Sequence, residues 1–177
     1  MVQVFFDYEC PYCDKGYDLL MDLLPAYPSL KIEWIPIESH PRPETQRPHT
    51  DLCIQAFYIA EELGADVTAF HRAMYRSVAV ERRDVENAEV IAEVLKGIVD
   101  IEKLLEILKS GKYASRVAEN NDLAYEKNDV WFVPAFRVPG NDRKSPLRLD
   151  AKGGLGVSRK ELKRFLDSYT IKEIEHE

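Results

Sequence analysis

The chain has 177 residues, 45% hydrophobic and 31% charged, with a formal net charge of −7. That composition suits a globular protein with one sizeable core, and the acidic balance argues against nucleic acid as a partner, because phosphate binding wants a basic face. No stretch approaches the roughly 18 consecutive apolar residues of a membrane-spanning helix, so no membrane partner is expected.

Residues 2–8 read as a short buried strand built on Val2, Val4, Phe5 and Phe6. No basic region, apolar stretch or cleavage site precedes it, so taking Met1 as the start predicts a cytoplasmic protein. After the strand comes Cys10-Pro11-Tyr12-Cys13. Residues 14–24 then repeat apolar side chains at helical spacing (Tyr17, Leu19, Leu20, Leu23 and Leu24) until Pro25 and Pro28 stop them. Residues 31–37 form a second strand through Ile32, Trp34, Ile35 and Ile37. The right-handed crossover rule makes this a β-α-β unit with parallel strands.

Residues 38–48 are proline-rich (Pro41, Pro43, Pro48) and predict an extended connector. From about residue 50 to 127 the pattern is a series of amphipathic helices. Residues 50–63 place Leu52, Cys53, Ala56, Phe57, Ala60 and Leu63 on one face, with Gly64 to close the helix. Asp66 caps a helix carrying Val67, Phe70 and Met74, and Asn87 begins another through Val90, Ile91, Val94, Leu95 and Ile98. Residues 100–109, with Leu104, Leu105 and Leu108, end at Gly111, and residues 113–127 make the last helix of the block.

Strand character returns at residues 130–133 and 134–138. A turn at Gly140-Asn141-Asp142 leads to Leu147-Arg148-Leu149 as a hairpin partner. Gly153-Gly154 turns the chain, and Ser158 is a good N-cap for a helix over residues 159–169. The charged end, residues 171–177, is expected to fray. The order is β-α-β, a helical block, then β-β-α: an α/β fold with a first part at residues 1–40, a helical insertion at 41–128 and a second part at 129–177.

Two thiols three positions apart at a strand–helix junction are placed for disulfide chemistry. At the N-terminus of the helix, unpaired N–H groups and the macrodipole favour the Cys10 thiolate. Cys13, one turn on, can resolve a mixed disulfide formed on Cys10, and Pro11 fits the first turn, where its missing N–H matters little. The competing reading of a C-x-x-C pair is half of a zinc site, which needs about two further ligands. Cys53 with His40 and His49 is the one set close enough in sequence to supply them. No metal is expected.

With strand–Cys10-Pro11-Tyr12-Cys13–helix at the start, a strand opening on Val133-Pro134, and helices between, the chain resembles the DsbA-like branch of the thioredoxin superfamily along its whole length. The resemblance implies a thioredoxin fold interrupted by an all-helical insertion, with Pro134 as a cis-proline beside the dithiol and Val133 as the residue whose backbone pairs with substrate. Pro11, Tyr12, Val133 and Pro134 are then the substrate-facing positions. The dipeptide Pro11-Tyr12 is that of glutaredoxins and lacks the histidine of strongly oxidising periplasmic proteins, so extreme thiolate stabilisation is not expected. Cytosolic relatives of this branch include polyketide-associated thiol oxidoreductases. They also include 2-hydroxychromene-2-carboxylate isomerase and kappa-class glutathione transferase, which lack the second thiol.

The expected function is a thiol–disulfide oxidoreductase acting on protein or small-thiol substrates, with Cys10 and Cys13 as the catalytic pair. No tightly bound cofactor is expected, and glutathione is the candidate co-substrate. The alternatives are a glutathione-dependent isomerase or transferase acting on a small aromatic substrate, and a zinc-holding or partner-binding module without redox activity. Among secondary candidates, Cys53 reads as an inert buried thiol, and His40, His49 and His71 as surface or connector residues. Trp131, Phe132 and Phe136 read as core in preference to a substrate groove. Asp7 and Glu9 are carboxylates able to accept or relay a proton next to Cys10. Gly153, Gly154 and Gly156 form a turn, with capture of an anion such as a glutathione carboxylate as the alternative.

Overall fold

Apolar β-branched and aromatic residues form strand β1 (Val2–Phe6), which lies at the centre of a four-stranded sheet of order β2-β1-β3-β4. Residues 1–139 and 147–174 are described by the structure, a computed structural model. Helix α1 (Pro11–Leu23) connects β1 to β2 (Ile32–Pro36), so β2 returns beside β1. Strand β3 (Ala135–Arg137) pairs antiparallel with β1, Phe136 opposite Val4, and β4 (Arg148–Asp150) pairs antiparallel with β3. Helix α7 (Arg159–Ile174) packs against β4.

Between the sheet-forming segments lie α2 (Asp51–Glu62), α3 (Val67–Tyr75), α4 (Ala88–Val94), α5 (Ile101–Ser110) and α6 (Ala114–Asp122). The chain divides into two compact units, one of residues 1–6, 12–35 and 123–177, the other of residues 7–11 and 36–122. In the first, Val4, Phe5, Phe6, Leu20, Phe136, Leu162 and Leu166 form the core. In the second, α2 packs against α3, α4, α5 and α6, and Ile54, Phe57, Ile59, Phe70, Met74, Ile91 and Leu104 are buried.

The expected helix starts match local hydrogen bonding. Asp66 accepts from the N–H groups of Thr68 and Ala69, Asn87 from Glu89, and Asp100 from Lys103. Ser158 and Glu161 form a reciprocal capping box, with the Glu161 N–H bonded to Ser158 Oγ at 3.2 Å and the Ser158 N–H to the Glu161 carboxylate at 3.0 Å.

Several elements depart from the sequence expectation. Helix α4 ends at Val94, short of Ile98, because the chain turns at Gly97 in the left-handed region, φ 85°. The long helix expected over residues 113–127 is α6 followed by a π-helical stretch, Leu123–Lys127, and α3 likewise runs into a π-helical stretch, Arg76–Val80. Residues 130–133 are not a strand. Asp129 takes a left-handed φ of 54°, the Val130 N–H bonds back to Ala124 O at 3.0 Å, and the chain bends before β3. Helix α7 continues past residue 169 to Ile174, so residues 171–174 are helical backbone. The expected turn at Gly140-Asn141-Asp142 and the end at residues 175–177 lie outside the described residues.

His71 is not a surface residue. It is fully buried on α3, its ring stacked on Phe57 and Tyr75, with Nδ1 3.1 Å from the Tyr8 hydroxyl. Its place on the apolar face of α3, one residue after Phe70, accounts for this. Burial lowers its pKa from 6.5 to about 3. The folded protein therefore keeps His71 neutral over a range in which the unfolded chain protonates it. Stability from this site is complete above pH 6.5 and is lost as pH falls toward 3, with a slope of about 1.4 kcal/mol per pH unit between those values. Urea unfolding of wild type and His71→Leu at pH 7, 6, 5 and 4 should show this slope as the difference between the two proteins. The raised carboxylates Glu9 and Asp7 contribute in the opposite direction to both. His71→Leu, less stable at pH 7, should show a slope smaller by one proton, and equal slopes in the two proteins would refute the assignment.

Candidate active site

The segment that carries the dithiol is fixed from its N-terminal side. Asp7 closes a turn, its carbonyl accepting from the Cys10 N–H at 3.2 Å. Its side chain, 1% exposed, accepts from the Glu9 N–H (3.2 Å), the Ser39 N–H (2.6 Å) and Thr50 Oγ1 (2.9 Å). Burial raises the Asp7 pKa while those hydrogen bonds pull it back. Thr50, placed at the start of α2, makes no side-chain cap to that helix and spends its hydroxyl on Asp7 instead.

Cys10 is half-buried and immediately precedes α1, which begins at Pro11. Cys13 lies in the first turn of α1 and is buried at 1% exposure. Of the two residues Cys10 is the more exposed, and Cys13 is buried. That asymmetry suits attack by Cys10 and resolution by Cys13.

Tyr12 is exposed, and its hydroxyl donates to Gly154 O at 2.7 Å. Its ring lies so close to Gly156 that a Cβ there would stand 3.1 Å from Tyr12 Cβ. Val133–Pro134 is a cis peptide bond, as are Arg42–Pro43 and Arg47–Pro48. Pro134 rests on Gly16, one turn after Cys13: a Cβ at Gly16 would come within 2.7 Å of Pro134 Cγ. Tyr12, Cys13, Gly16, Val133 and Pro134 are thus carried by one unit, with Cys10 and Pro11 joined to them through the chain.

The loop before β3 is anchored by Arg137. At 5% exposure its guanidinium donates to Asn128 O (3.3 and 3.2 Å), Phe136 O (3.0 Å) and Leu149 O (3.4 Å), and it pairs with Asp150. No sequence signal marked it beyond a charged residue in an apolar strand. Of the three aromatics expected in the core, only Phe136 is there. Trp131 and Phe132 are 65% and 56% exposed, because the bend at residues 129–133 turns them out, and Trp131 Nε1 donates to Asp129 at 2.8 Å.

Cys53 is completely buried, and burial together with Asp7 and Asp51 pushes its thiol well above its ordinary pKa. It is held as an unreactive thiol. His49 is a connector residue, as expected, but a buried one, with Nδ1 3.1 Å from His40 O. His40 bridges Glu9 and Glu44. Among the described residues no three His, Cys, Asp or Glu side chains are placed to hold a metal ion, and no helix is long and apolar enough to cross a membrane.

The sequence matches the DSBA-like thioredoxin domain family over residues 1–150, and the chain belongs to that family. Its fold is that of thiol–disulfide oxidoreductases in general. The crystal structure of Pseudomonas aeruginosa DsbA superposes with a TM-score of 0.70 at 23% identity, covering 99% of this chain and 84% of that one. A thioredoxin-like oxidoreductase from Silicibacter pomeroyi gives 0.68 at 21% identity, covering 96% and 85%. The "probable DsbA oxidoreductase" of Streptomyces coelicolor gives 0.75 at 17% identity, covering 96% and 88%. A curated relative, the Na(+)/H(+) antiporter NhaA 3 of Salinispora tropica, is 24% identical over 147 residues; these are 83% of this chain, which spans 21% of that relative's length.

The contact between Gly16 and Pro134 makes a prediction. Gly16→Ala forces Pro134 or α1 to shift and should lower stability by about 1–3 kcal/mol, as overpacking does. Gly153→Ala meets Phe132 Cε1 at 3.0 Å, but that ring is 56% exposed and free to swing away, so the loss should be smaller. Thermal unfolding of the two variants checks the order, and equal stability of Gly16→Ala and wild type would refute it.

Proposed function

We propose that this protein exchanges a Cys10–Cys13 dithiol and disulfide with protein or small-molecule thiol substrates. The observation that carries the proposal is the half-buried Cys10 ahead of α1, followed one turn later by the buried Cys13, in a DsbA-like fold. The Cys10 thiolate attacks one sulfur of a substrate disulfide, forming a mixed disulfide and releasing a substrate thiolate that takes up a proton. Cys13 then loses its proton and attacks Cys10 Sγ, expelling the second substrate thiolate, which is protonated in turn. The substrate gains two electrons and two protons, and the enzyme is left with a Cys10–Cys13 disulfide. The reverse sequence oxidises a substrate dithiol. Electrons move between sulfurs only, so the reaction calls for no metal, flavin or nucleotide.

Tyr12, Val133 and Pro134 are assigned to the substrate-facing surface, with the backbone at Val133 receiving an extended peptide by strand addition. Pro11 shapes the first turn of α1. Reduction of insulin or of glutathione disulfide should fall to the uncatalysed rate in Cys10→Ser. Cys13→Ser should accumulate a mixed disulfide, read as a mass increase that dithiothreitol removes. Wild-type turnover by Cys10→Ser would overturn the proposal. Turnover of a small aromatic substrate with glutathione that survives Cys13→Ser would replace it with a glutathione-dependent isomerase or transferase.

A further inference from the structure

The residue before the nucleophile is itself part of an ordered row of side chains, Glu9, His40 and Glu44. Glu9, with its side chain 13% exposed, places Oε1 3.4 Å from His40 Nε2, and His40 Nδ1 lies 3.1 Å from Glu44 Oε2. A single imidazole thus carries a carboxylate on each ring nitrogen, and the row runs from the segment beside Cys10 out to Glu44, whose side chain is 54% exposed. The Glu9 backbone is held by its N–H, which donates to the Asp7 carboxylate, itself bonded to Ser39 and Thr50.

We infer that Glu9, held by His40, is a positioning residue for Cys10: its charge sets how much of the nucleophile is thiolate and so biases the equilibrium between dithiol and disulfide. One peptide unit separates the two residues, with consecutive Cα atoms about 3.8 Å apart. A half-buried carboxylate on the residue that adjoins a thiolate opposes its charge. A destabilised thiolate makes the reduced form less favourable, which moves the couple toward the disulfide and makes the protein a better reductant. This is opposite in sign to a cation or helix N-terminus at the same site. The groups that face Glu9 come from its own turn, Asp7, and from the connector after β2, Glu38, His40 and Glu44. Burial, together with the three carboxylates, raises Glu9 to about 7, while His40 pulls it back. The opposing charge is therefore absent well below neutrality and present above it.

This inference rests on the proposed dithiol chemistry, but part of its test needs no turnover. The rate of Cys10 alkylation by iodoacetamide, followed from pH 5 to 9 in Cys13→Ser, should show a second inflection near pH 7 besides that of the thiol. In Glu9→Gln on the same background that inflection should vanish and the thiol midpoint should fall, by up to about one unit, a tenfold gain in thiolate. His40→Ala should move the inflection to higher pH and Glu44→Gln to lower pH, opposite shifts that a merely structural role would not produce. With both cysteines present, equilibration against glutathione at pH 8 should favour the dithiol by up to about tenfold more in Glu9→Gln than in wild type, about 30 mV. An unchanged alkylation profile in Glu9→Gln overturns the inference, and so do parallel shifts in His40→Ala and Glu44→Gln. If wild type fails to exchange with glutathione at all, the proposed function falls, while the alkylation profiles still decide the role of Glu9.

Discussion

A buried carboxylate organises the segment that leads to Cys10. Asp7 is withdrawn from water, and burial of an ionised carboxyl is tolerated only where hydrogen bonds replace hydration. Here three donors do so: the Glu9 N–H, the Ser39 N–H and the Thr50 hydroxyl. They come from three separate stretches: the turn before Cys10, the connector after β2 and the start of α2. Satisfying one acid therefore sets the path of all three, and the position of Cys10 follows from the Asp7 carbonyl that receives its N–H.

Within the other unit, the placement of Pro134 against α1 rests on a close approach rather than on charge. Gly16 has no side chain, and Pro134 occupies the space that a Cβ would need. The same α1 presents Tyr12 outward, where its hydroxyl reaches Gly154 O and its ring covers Gly156. Behind the loop, Arg137 collects backbone carbonyls at Asn128, Phe136 and Leu149. A guanidinium can do this because its donors form a planar fork that is always charged. The loop can then bend at residues 129–133 and leave Trp131 and Phe132 exposed, while Ala135 and Phe136 enter the sheet. Solved structures only 17–23% identical share this architecture, as expected when the fold depends on patterning and a few close contacts more than on side-chain identity.

Around Cys10 the electrostatics oppose one another. A helix N-terminus favours anionic sulfur, whereas Glu9, Asp7 and Glu38 accumulate negative charge on the preceding turn and the connector after β2. His40 moderates the second influence without cancelling it, since Glu9 is still raised to about 7. The Pro11-Tyr12 dipeptide adds no cation between the two thiols.

Local patterns alone determined much of this protein. The Cys10–Cys13 spacing, the amphipathic repeats, and the helix starts at Asp66, Asn87, Asp100 and Ser158 depend on neighbours within a turn or two, and these were legible. So was the interrupted order of elements, because apolar periodicity changes with each element. Where long-range partners competed with local preference, only the tertiary structure decided. Thr50 stands at the expected start of a helix, yet it gives its hydroxyl to Asp7, 43 residues away in sequence. Residues 130–133 have strand composition, yet the Asp129 turn and the bond from Val130 to Ala124 bend them away. His71 reads as polar, yet it lies within an aromatic cluster with Tyr8, Phe57 and Tyr75. The pairing of Glu9 with His40 and the contact of Pro134 with Gly16 were likewise invisible. A side chain's charge, exposure and hydrogen-bond partner are set by what the folded chain brings against it, and sequence spacing carries no such information beyond the next turn or strand.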